Sequence, residues 1–75
     1  MPTALVLMNT EIGSEADVLK ELRKIAGIEE AILVYGVYDI VLRVASNSMA
    51  ELKQTITWQI RKMEYVTATQ TMIIL

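Results

Sequence analysis

The chain has 75 residues, of which 53% are hydrophobic, and its 7 basic and 9 acidic residues give a net charge of −2. It contains neither cysteine nor histidine, which excludes disulfides and thiol nucleophiles and removes the commonest general base and metal ligand. Because it has no surplus of basic residues, the chain is not expected to bind nucleic acid by itself.

The first part of the chain predicts a strand followed by a helix. Residues 4–8 form an apolar run typical of a short strand. Ser14 is the predicted N-cap of a helix whose apolar stripe runs from Val18 to Ala26. Gly27 supplies the left-handed residue that is expected to end this helix.

The middle of the chain predicts two strands joined by a hairpin. Residues 28–38 read as one long strand, and Gly36 to Asp39 supply turn chemistry. Residues 40–45 form the next strand, and the short connection makes the pair a hairpin.

The last part predicts a second helix and a final strand. Ser48 and Glu51 have the spacing of a capping box. One face of the helix that they begin is apolar and carries Met49, Leu52, Ile56, Ile60 and Met63. Residues 66–75 form the last predicted strand.

The element order is therefore β-α-β-β-α-β within a single domain of residues 1–75. This order predicts an α+β, ferredoxin-like fold with a four-stranded antiparallel sheet. Right-handed crossovers bring both helices to the same face of the sheet.

The predicted strands are apolar on both faces, although helices can cover only one. Residues 4–8 are five apolar residues in succession, and residues 31–35 are another five. An antiparallel sheet with one face in water normally alternates apolar and polar residues. We therefore expect the second face to pack against another copy in a dimeric α+β barrel, with Leu5 and Leu33 in the oligomer interface.

Trp58 lies on the side of the second helix opposite its apolar stripe. Two interpretations stay open. The ring can lie flat across polar neighbours of its own helix, or it can form a contact between dimers, since tryptophan is enriched in interface hot spots. On the second interpretation Trp58 belongs to the oligomer interface.

The hairpin and the last strand carry the residues that could form a ligand site. Gly36 lets a backbone approach a ligand, Tyr38 offers an aromatic wall and Asp39 offers an anion for the ammonium group of a free amino acid. The hydroxyls of Thr69 and Thr71 can donate hydrogen bonds to a ligand carboxylate. The plainer interpretation is that Gly36 and Asp39 are ordinary turn residues and that the threonines fill a strand.

The whole of residues 3–75 resembles the effector-binding domain of the Lrp/AsnC transcription regulators, the RAM domain. The residues that match are Ala26-Gly27-Ile28, Gly36-Val37-Tyr38-Asp39-Ile40 and Thr69-Gln70-Thr71. The resemblance implies dimers that join into a ring of four dimers, with free amino acids bound between dimers near the G-x-Y-D hairpin. By that match Gly36, Tyr38, Asp39, Thr69 and Thr71 are the expected ligand-binding residues.

This sequence departs from the family pattern at three points. Tyr35 stands where many members have a small hydroxyl residue, and Tyr65 stands where a glycine often precedes the last strand. The helix-turn-helix domain that normally precedes the module is not among these residues, so the chain resembles stand-alone RAM proteins. Such proteins sense amino acids themselves or co-assemble with full-length regulators.

The sequence thus predicts a cytoplasmic amino-acid-binding module with no catalytic residues, no metal site and no cofactor. The first basic residue is Lys20 and no apolar run approaches about 18 residues, so neither a signal peptide nor a spanning helix is expected. Two alternatives remain: a structural partner of a full-length Lrp/AsnC-type regulator, and a small dimeric α+β-barrel enzyme. The enzyme alternative lacks the titratable groups that such a site is expected to place between sheet and helices.

Overall fold

The computed structural model describes all 75 residues and confirms the predicted order of elements. The strands are β1 (Thr3–Thr10), β2 (Ile28–Leu33), β3 (Ile40–Ala45) and β4 (Val66–Ile74). The helices are α1 (Glu15–Leu22) and α2 (Met49–Gln54), and α2 continues directly into a π-helix (Thr55–Ile60). No helix of the chain combines the length and the apolar character needed to cross a membrane.

The four strands form one sheet in the order β2-β3-β1-β4, and all three neighbouring pairs are antiparallel. This is the ferredoxin-like arrangement, in which the first and third strands lie at the centre. β2 and β4 are the edge strands and lie on opposite sides of the sheet.

One face of the sheet packs against the helices and forms the core. Thirteen buried hydrophobic residues make a single cluster, in which Val6 of β1 lies beside Leu42 of β3 and both are fully buried. The helices contribute Val18, Leu19, Leu22, Leu52, Ile56 and Ile60 to this cluster. Both helices therefore cover the same face, as predicted.

The other face of the sheet, termed the open face here, has no element of the chain against it. It carries the alternate residues of each strand, and its large apolar members include Leu5, Leu7, Ile32, Val41 and Met72. Ile32 and Met72 are each 44% exposed. The sheet thus has two apolar faces and only one cover, as the sequence indicates.

Helix α1 is shorter than predicted. The stripe was expected to run on to Ala26, but the α-helix ends at Leu22, and Ala26 is exposed. Beyond Leu22 the backbone tightens into i→i+3 bonds, such as Ile25 N–H to the Leu22 carbonyl at 3.0 Å. Gly27 does adopt the left-handed conformation (φ 97°), but it closes this turn rather than the helix itself.

The two predicted N-caps behave differently. Ser48 accepts a hydrogen bond from the Glu51 N–H at 3.2 Å, which confirms the cap of α2. Ser14 occupies the N-cap position of α1 with a backbone near the helical region, and its side chain makes no capping bond. The expectation that Ser14 caps α1 by its side chain is therefore wrong.

The π-helix explains how the apolar face of the second helical segment stays on the core. Leu52, Ile56 and Ile60 are spaced by four residues, which drifts about 40° per step around an α-helix of 3.6 residues per turn. The wider π-helix, with i→i+5 bonds such as Arg61 N–H to the Ile56 carbonyl at 2.9 Å, has more residues per turn and reduces that drift. Ile56 and Ile60 are consequently both buried.

Candidate ligand site at the hairpin

The connection between β2 and β3 is a loop of residues 34–39 rather than an extension of β2. β2 ends at Leu33, so the predicted strand to residue 38 is wrong at its end. The Val34 N–H donates to the Asp39 carbonyl at 2.9 Å and closes the loop. The tip therefore projects beyond the sheet, where β-branched and aromatic residues find no partner strand.

Asp39 fixes the base of this loop to the end of β1. Its backbone N–H donates to the Met8 carbonyl at 2.9 Å, and its Oδ2 accepts the Thr10 N–H at 3.0 Å. The β1–β3 pairing ends at Met8 and Ile40, so the Thr10 N–H, which also points toward β3, lies beyond the last pair and takes a side-chain partner. The Asp39 carboxylate thus has a structural role, and its second oxygen is not used by this bond.

Thr10 places an unpaired hydroxyl beside this anchor. Its side chain is 8% exposed, and its Oγ1 has no hydrogen-bond partner within the chain. A buried polar atom without a partner is uncommon in native proteins. The anchor of the hairpin therefore has unused hydrogen-bonding capacity.

Gly36 is not required by the internal geometry of the loop. Its φ is not in the left-handed range, and a Cβ built there would meet no atom within 4 Å. Gly27 is the contrast, because its added Cβ would lie 2.8 Å from the Ala45 carbonyl oxygen. Nothing inside the chain explains a glycine at position 36, and open space surrounds its backbone.

The hairpin tip is apolar and exposed. Tyr35 and Val37 are 105% and 85% exposed, whereas Tyr38 and Asp39 are half-buried at the base. Tyr38 thus lies at the base of the loop and is partly covered, whereas Tyr35 extends outward. An exposed apolar tip of this kind is a typical contact for another molecule.

Thr69 and Thr71 do not meet the hairpin within one chain. They pair with Met8 and Val6 of β1, so they lie on the helix side of edge strand β4, half-buried. Two strand spacings of about 4.8 Å, roughly 10 Å in all, separate β3 from β4. The five predicted ligand residues thus form two groups: Gly36, Tyr38 and Asp39 at the hairpin, and Thr69 and Thr71 on β4.

Arg61 is the charged residue that the sequence reasoning missed. A cavity of about 320 Å³ is lined by Arg61, Val66, Thr67, Ala68 and Thr69. Arginine and threonine are residue types that can donate hydrogen bonds to a carboxylate. The available signal was the short connection between the second helix and β4, which keeps Arg61 near the start of that strand.

The three predicted interface residues have different surroundings. Leu5 is on the open face between Arg43 of β3 and Met72 of β4. Leu33 pairs with Ile40, which puts it on the helix side at the edge of the sheet, 47% exposed.

Trp58 is 62% exposed, and the Lys62 Nζ lies 4.0 Å from the centroid of its ring. This cation–π contact agrees with the interpretation in which the ring lies against polar neighbours of its own helix. Trp58 also lines a cavity of about 560 Å³ with Glu51 and Gln54, away from the hairpin.

Tyr65 has an unusual backbone and an acidic environment. It has a positive φ of 72°, a conformation that favours glycine, at a position where the resemblance notes a glycine in many relatives. The negative charge of Glu64 and hydrogen bonding to that carboxylate raise the pKa of the Tyr65 hydroxyl, with smaller effects from Glu11 and Asp17.

No group of acidic residues in the chain is arranged to hold a metal ion.

Comparison with known proteins identifies this fold. Residues 3–75 match the model of the Lrp/AsnC ligand binding domain. The crystal structure of FFRP-DM1 is 40% identical with a TM-score of 0.96, and the match covers 100% of both chains. Hypothetical protein PHS023 from Pyrococcus horikoshii is also 40% identical, with a TM-score of 0.94 over 100% of this chain and 90% of that one.

More distant structures share the fold alone. AsnC of E. coli is 20% identical with a TM-score of 0.90, and the match covers 99% of this chain and 50% of that one. The regulator NMB0573 from Neisseria meningitidis, solved as an L-Met complex, is 14% identical with a TM-score of 0.87 over 99% of this chain and 49% of that one. No curated protein sequence matches the chain significantly.

Proposed function

Since this chain belongs to the Lrp/AsnC ligand-binding domain family, we propose that it is a cytoplasmic amino-acid-binding and oligomerisation module and not an enzyme. The L-Met complex of the distant regulator NMB0573 supports a free amino acid as the class of ligand.

The first step of the proposal is a dimer formed through the open face. Leu5, Leu7 and Val41 lie at the centre of that face and are half-buried by their neighbours alone. A dimer interface of standard size removes about 800 Å² from each partner. At about 25 cal/mol per Å² of apolar area, covering the open face adds a large stabilisation to a domain of only 75 residues.

The second step is a ligand bound between dimers. Because β3 and β4 are two strand spacings apart, roughly 10 Å, the proposal pairs the hairpin group of one dimer with the β4 group of another. The exposed tip at Tyr35 and Val37 can reach another dimer and bring its hairpin to that dimer's β4. The proposed assembly is a ring of dimers, with four dimers as in the family.

Recognition then divides between the two groups. The ammonium of the amino acid would contact the free oxygen of Asp39, and Tyr38 would provide the wall of the pocket. The carboxylate would accept hydrogen bonds from Thr69 and Thr71 and from the Arg61 guanidinium. A ligand held by two dimers favours the ring over separate dimers, so binding and assembly are coupled.

The observation that carries the proposal is Gly36. Its backbone is surrounded by open space and its conformation suits any residue, so the fold alone does not explain the glycine. Close approach of a ligand explains it, because any side chain there would occupy the ligand's space.

The test is a thermal-shift screen of the wild-type chain against the twenty amino acids. A ligand at 100 times its Kd adds about 2.7 kcal/mol, which corresponds to roughly 10–20 °C for a domain of this size. The Gly36→Ala variant should keep the unliganded Tm, or raise it slightly, and lose most of the ligand-induced shift. Thr57→Val, an exposed change on the π-helix, is the matched control and should keep the full shift.

Two results would contradict the proposal. One is the absence of any shift with all twenty amino acids. The other is a Gly36→Ala variant that binds the same amino acid as tightly as wild type. That result would show that the ligand does not bind at the hairpin.

A second candidate function is assembly with a full-length regulator. It is supported by the match of this chain to half of the AsnC chain, which contains the same fold. In that case the chain would co-purify from its native cell with a DNA-binding relative, and no amino acid would be needed for the association. Isolation as pure homo-oligomers would count against it.

A further inference from the structure

A single ion pair lies on the largely apolar open face. The Arg43 Nε is 3.8 Å from the Glu30 Oε1, and the two side chains are about half exposed (49% and 58%). Arg43 pairs with Leu5 of β1 and with Glu30 of β2, so all three side chains are on the open face. The pair thus belongs to the surface through which the proposed dimer forms.

A bulge in β2 determines which acid faces Arg43. The β2–β3 register shifts between Ile28 and Glu30, so Glu29 has no partner in the ladder. Without the extra residue, Glu29 would lie opposite Arg43 and Glu30 would point to the helix side. The backbone is therefore shaped so that one acid, Glu30, stands beside the one base on this face.

The pair is incompletely satisfied within the chain. A distance of 3.8 Å is longer than a hydrogen bond, so the remaining N–H groups of the Arg43 guanidinium are available to another acceptor. Burying these two charges against an apolar partner would cost more than their weak mutual contact returns. A partner that covers this face must therefore supply opposite charges at these positions.

A second copy of the chain supplies them. In a two-fold interface every contact occurs twice: if one residue of the first copy contacts a second residue of its partner, the second residue of the first copy also contacts the first residue of the partner. A face with one positive and one negative group side by side is self-complementary when the two-fold axis passes between the two groups. We propose that Arg43 pairs with Glu30 of the partner subunit, and Glu30 with Arg43 of the partner subunit, and that these contacts select the dimer partner.

This inference rests on the proposed dimer but goes beyond it, because it states what the face rejects. A related domain whose open face has an apolar residue or a charge of the same sign at either position would leave a buried charge unpaired. The apolar residues then provide the affinity of the dimer, and the charged pair provides its specificity for a second copy of this chain over related domains.

The test uses two charge-reversed chains, Arg43→Glu and Glu30→Arg. The first has two acids on the open face and the second has two bases. Each variant alone should dimerise at least about tenfold more weakly than wild type, because like charges meet across the axis. Mixed in equal amounts they should form heterodimers well above the statistical half, and the double variant Glu30→Arg/Arg43→Glu should regain the wild-type Kd.

The readouts are native mass spectrometry for the composition of dimers and sedimentation for their Kd, with circular dichroism to check that each variant folds. The matched control is the exposed pair formed by Glu21 of α1 and Lys24 just after it, at 3.2 Å and with similar exposure, which lies away from the open face. Lys24→Glu and Glu21→Lys chains should mix statistically. The heterodimer excess of the test pair should also shrink as salt is raised.

The outcomes separate the two proposals. If wild type and both variants dimerise equally and mix at random, the charged pair does not select the partner although the dimer stands. If wild type stays monomeric at all concentrations, the dimer itself fails. Heterodimer excess for the control pair would show a general charge effect and would also overturn the inference.

Discussion

The Thr10 N–H donates to the Asp39 carboxylate at 3.0 Å, and this one bond ties the hairpin to the end of β1 across 29 residues of sequence. The bond lies just beyond the last β1–β3 pair, Met8 and Ile40, where β3 offers no further backbone partner. The residue that the resemblance assigns to the ligand is therefore also the residue that fixes the loop. Its two oxygens can serve both roles.

Replacing Asp39 should separate these two roles. Asp39→Ala leaves the Thr10 N–H without its partner and should lower the free energy of unfolding by about 1–3 kcal/mol. Asp39→Asn keeps a carbonyl oxygen for that N–H, so most of this stability should remain, while binding of an amino-acid ammonium should weaken at least about tenfold. Chemical denaturation and calorimetric titration measure the two effects, and equal stability of the two variants would contradict the anchor.

The open face should respond to a charge at its centre. Leu5→Lys puts a cation beside Arg43 in the proposed interface and should weaken dimerisation at least about 100-fold, as seen by light scattering across a dilution series. Leu33→Lys should leave the dimer intact, because Leu33 is on the helix side at the sheet edge. Ile12→Lys, at a fully exposed site elsewhere, is the control. A stable Leu5→Lys dimer would show that the sheet faces do not meet.

The two serines at helix starts should differ in their contribution to stability. Ser48→Ala removes the acceptor of the Glu51 N–H and should cost about 1 kcal/mol. Ser14→Ala removes no capping bond and should change the free energy of unfolding by less than about 0.5 kcal/mol. Urea denaturation at one fixed protein concentration compares them, and equal losses would mean that the cap geometry is wrong.

Tyr65 should prefer glycine on backbone grounds. Both Tyr65→Gly and Tyr65→Ala remove the same side chain, but only glycine adopts a φ of 72° without steric strain. The glycine variant should therefore be more stable than the alanine variant by about 1 kcal/mol, even after the greater chain entropy of glycine is included. An alanine variant that equals or exceeds the glycine variant in thermal unfolding would rule out a strained backbone.

The phenol of Tyr65 should titrate with the charge of Glu64. Because that charge is the main cause that raises the Tyr65 pKa above 10.0, Glu64→Gln should lower the Tyr65 pKa. A raised pKa in the folded state means that the linked stability is present below the unfolded value and is lost as the pH rises through the folded pKa. NMR of ring-labelled tyrosine across the alkaline range measures this shift, with Tyr65→Phe to assign the signal.

Much of the fold follows from local patterns in the sequence. The bounds of β3, the cap at Ser48 and the left-handed Gly27 agree with prediction because each depends on residues close in sequence. The π-helix escaped prediction, since four-residue spacing of apolar groups also fits an α-helix. The end of β2 was misjudged because residues 34–38 are apolar and β-prone, yet no neighbouring strand extends that far.

The site is less accessible to sequence reasoning. The hairpin residues are adjacent in sequence, so their proximity was predictable. The separation of Thr69 and Thr71 from them depends on the strand order, which puts β4 beside β1 and far from β2. Arg61 joins Thr69 only through the path of the chain after the π-helix. Such relations depend on tertiary structure, and the proposed ligand contact between copies depends on quaternary structure as well.

The two free edges of the sheet have a consequence for aggregation and turnover of the protein in the cell. β2 and β4 each present a row of unpaired backbone groups, and the end of β4 and the residue after it are apolar and exposed in the lone chain (Met72, Ile73, Ile74 and Leu75). Strand edges of this kind template aggregation when they stay uncovered. If the proposed assembly forms, a newly made subunit without its partner exposes these strands to chaperones and proteases, so synthesis rate and turnover would set how much of the assembly accumulates.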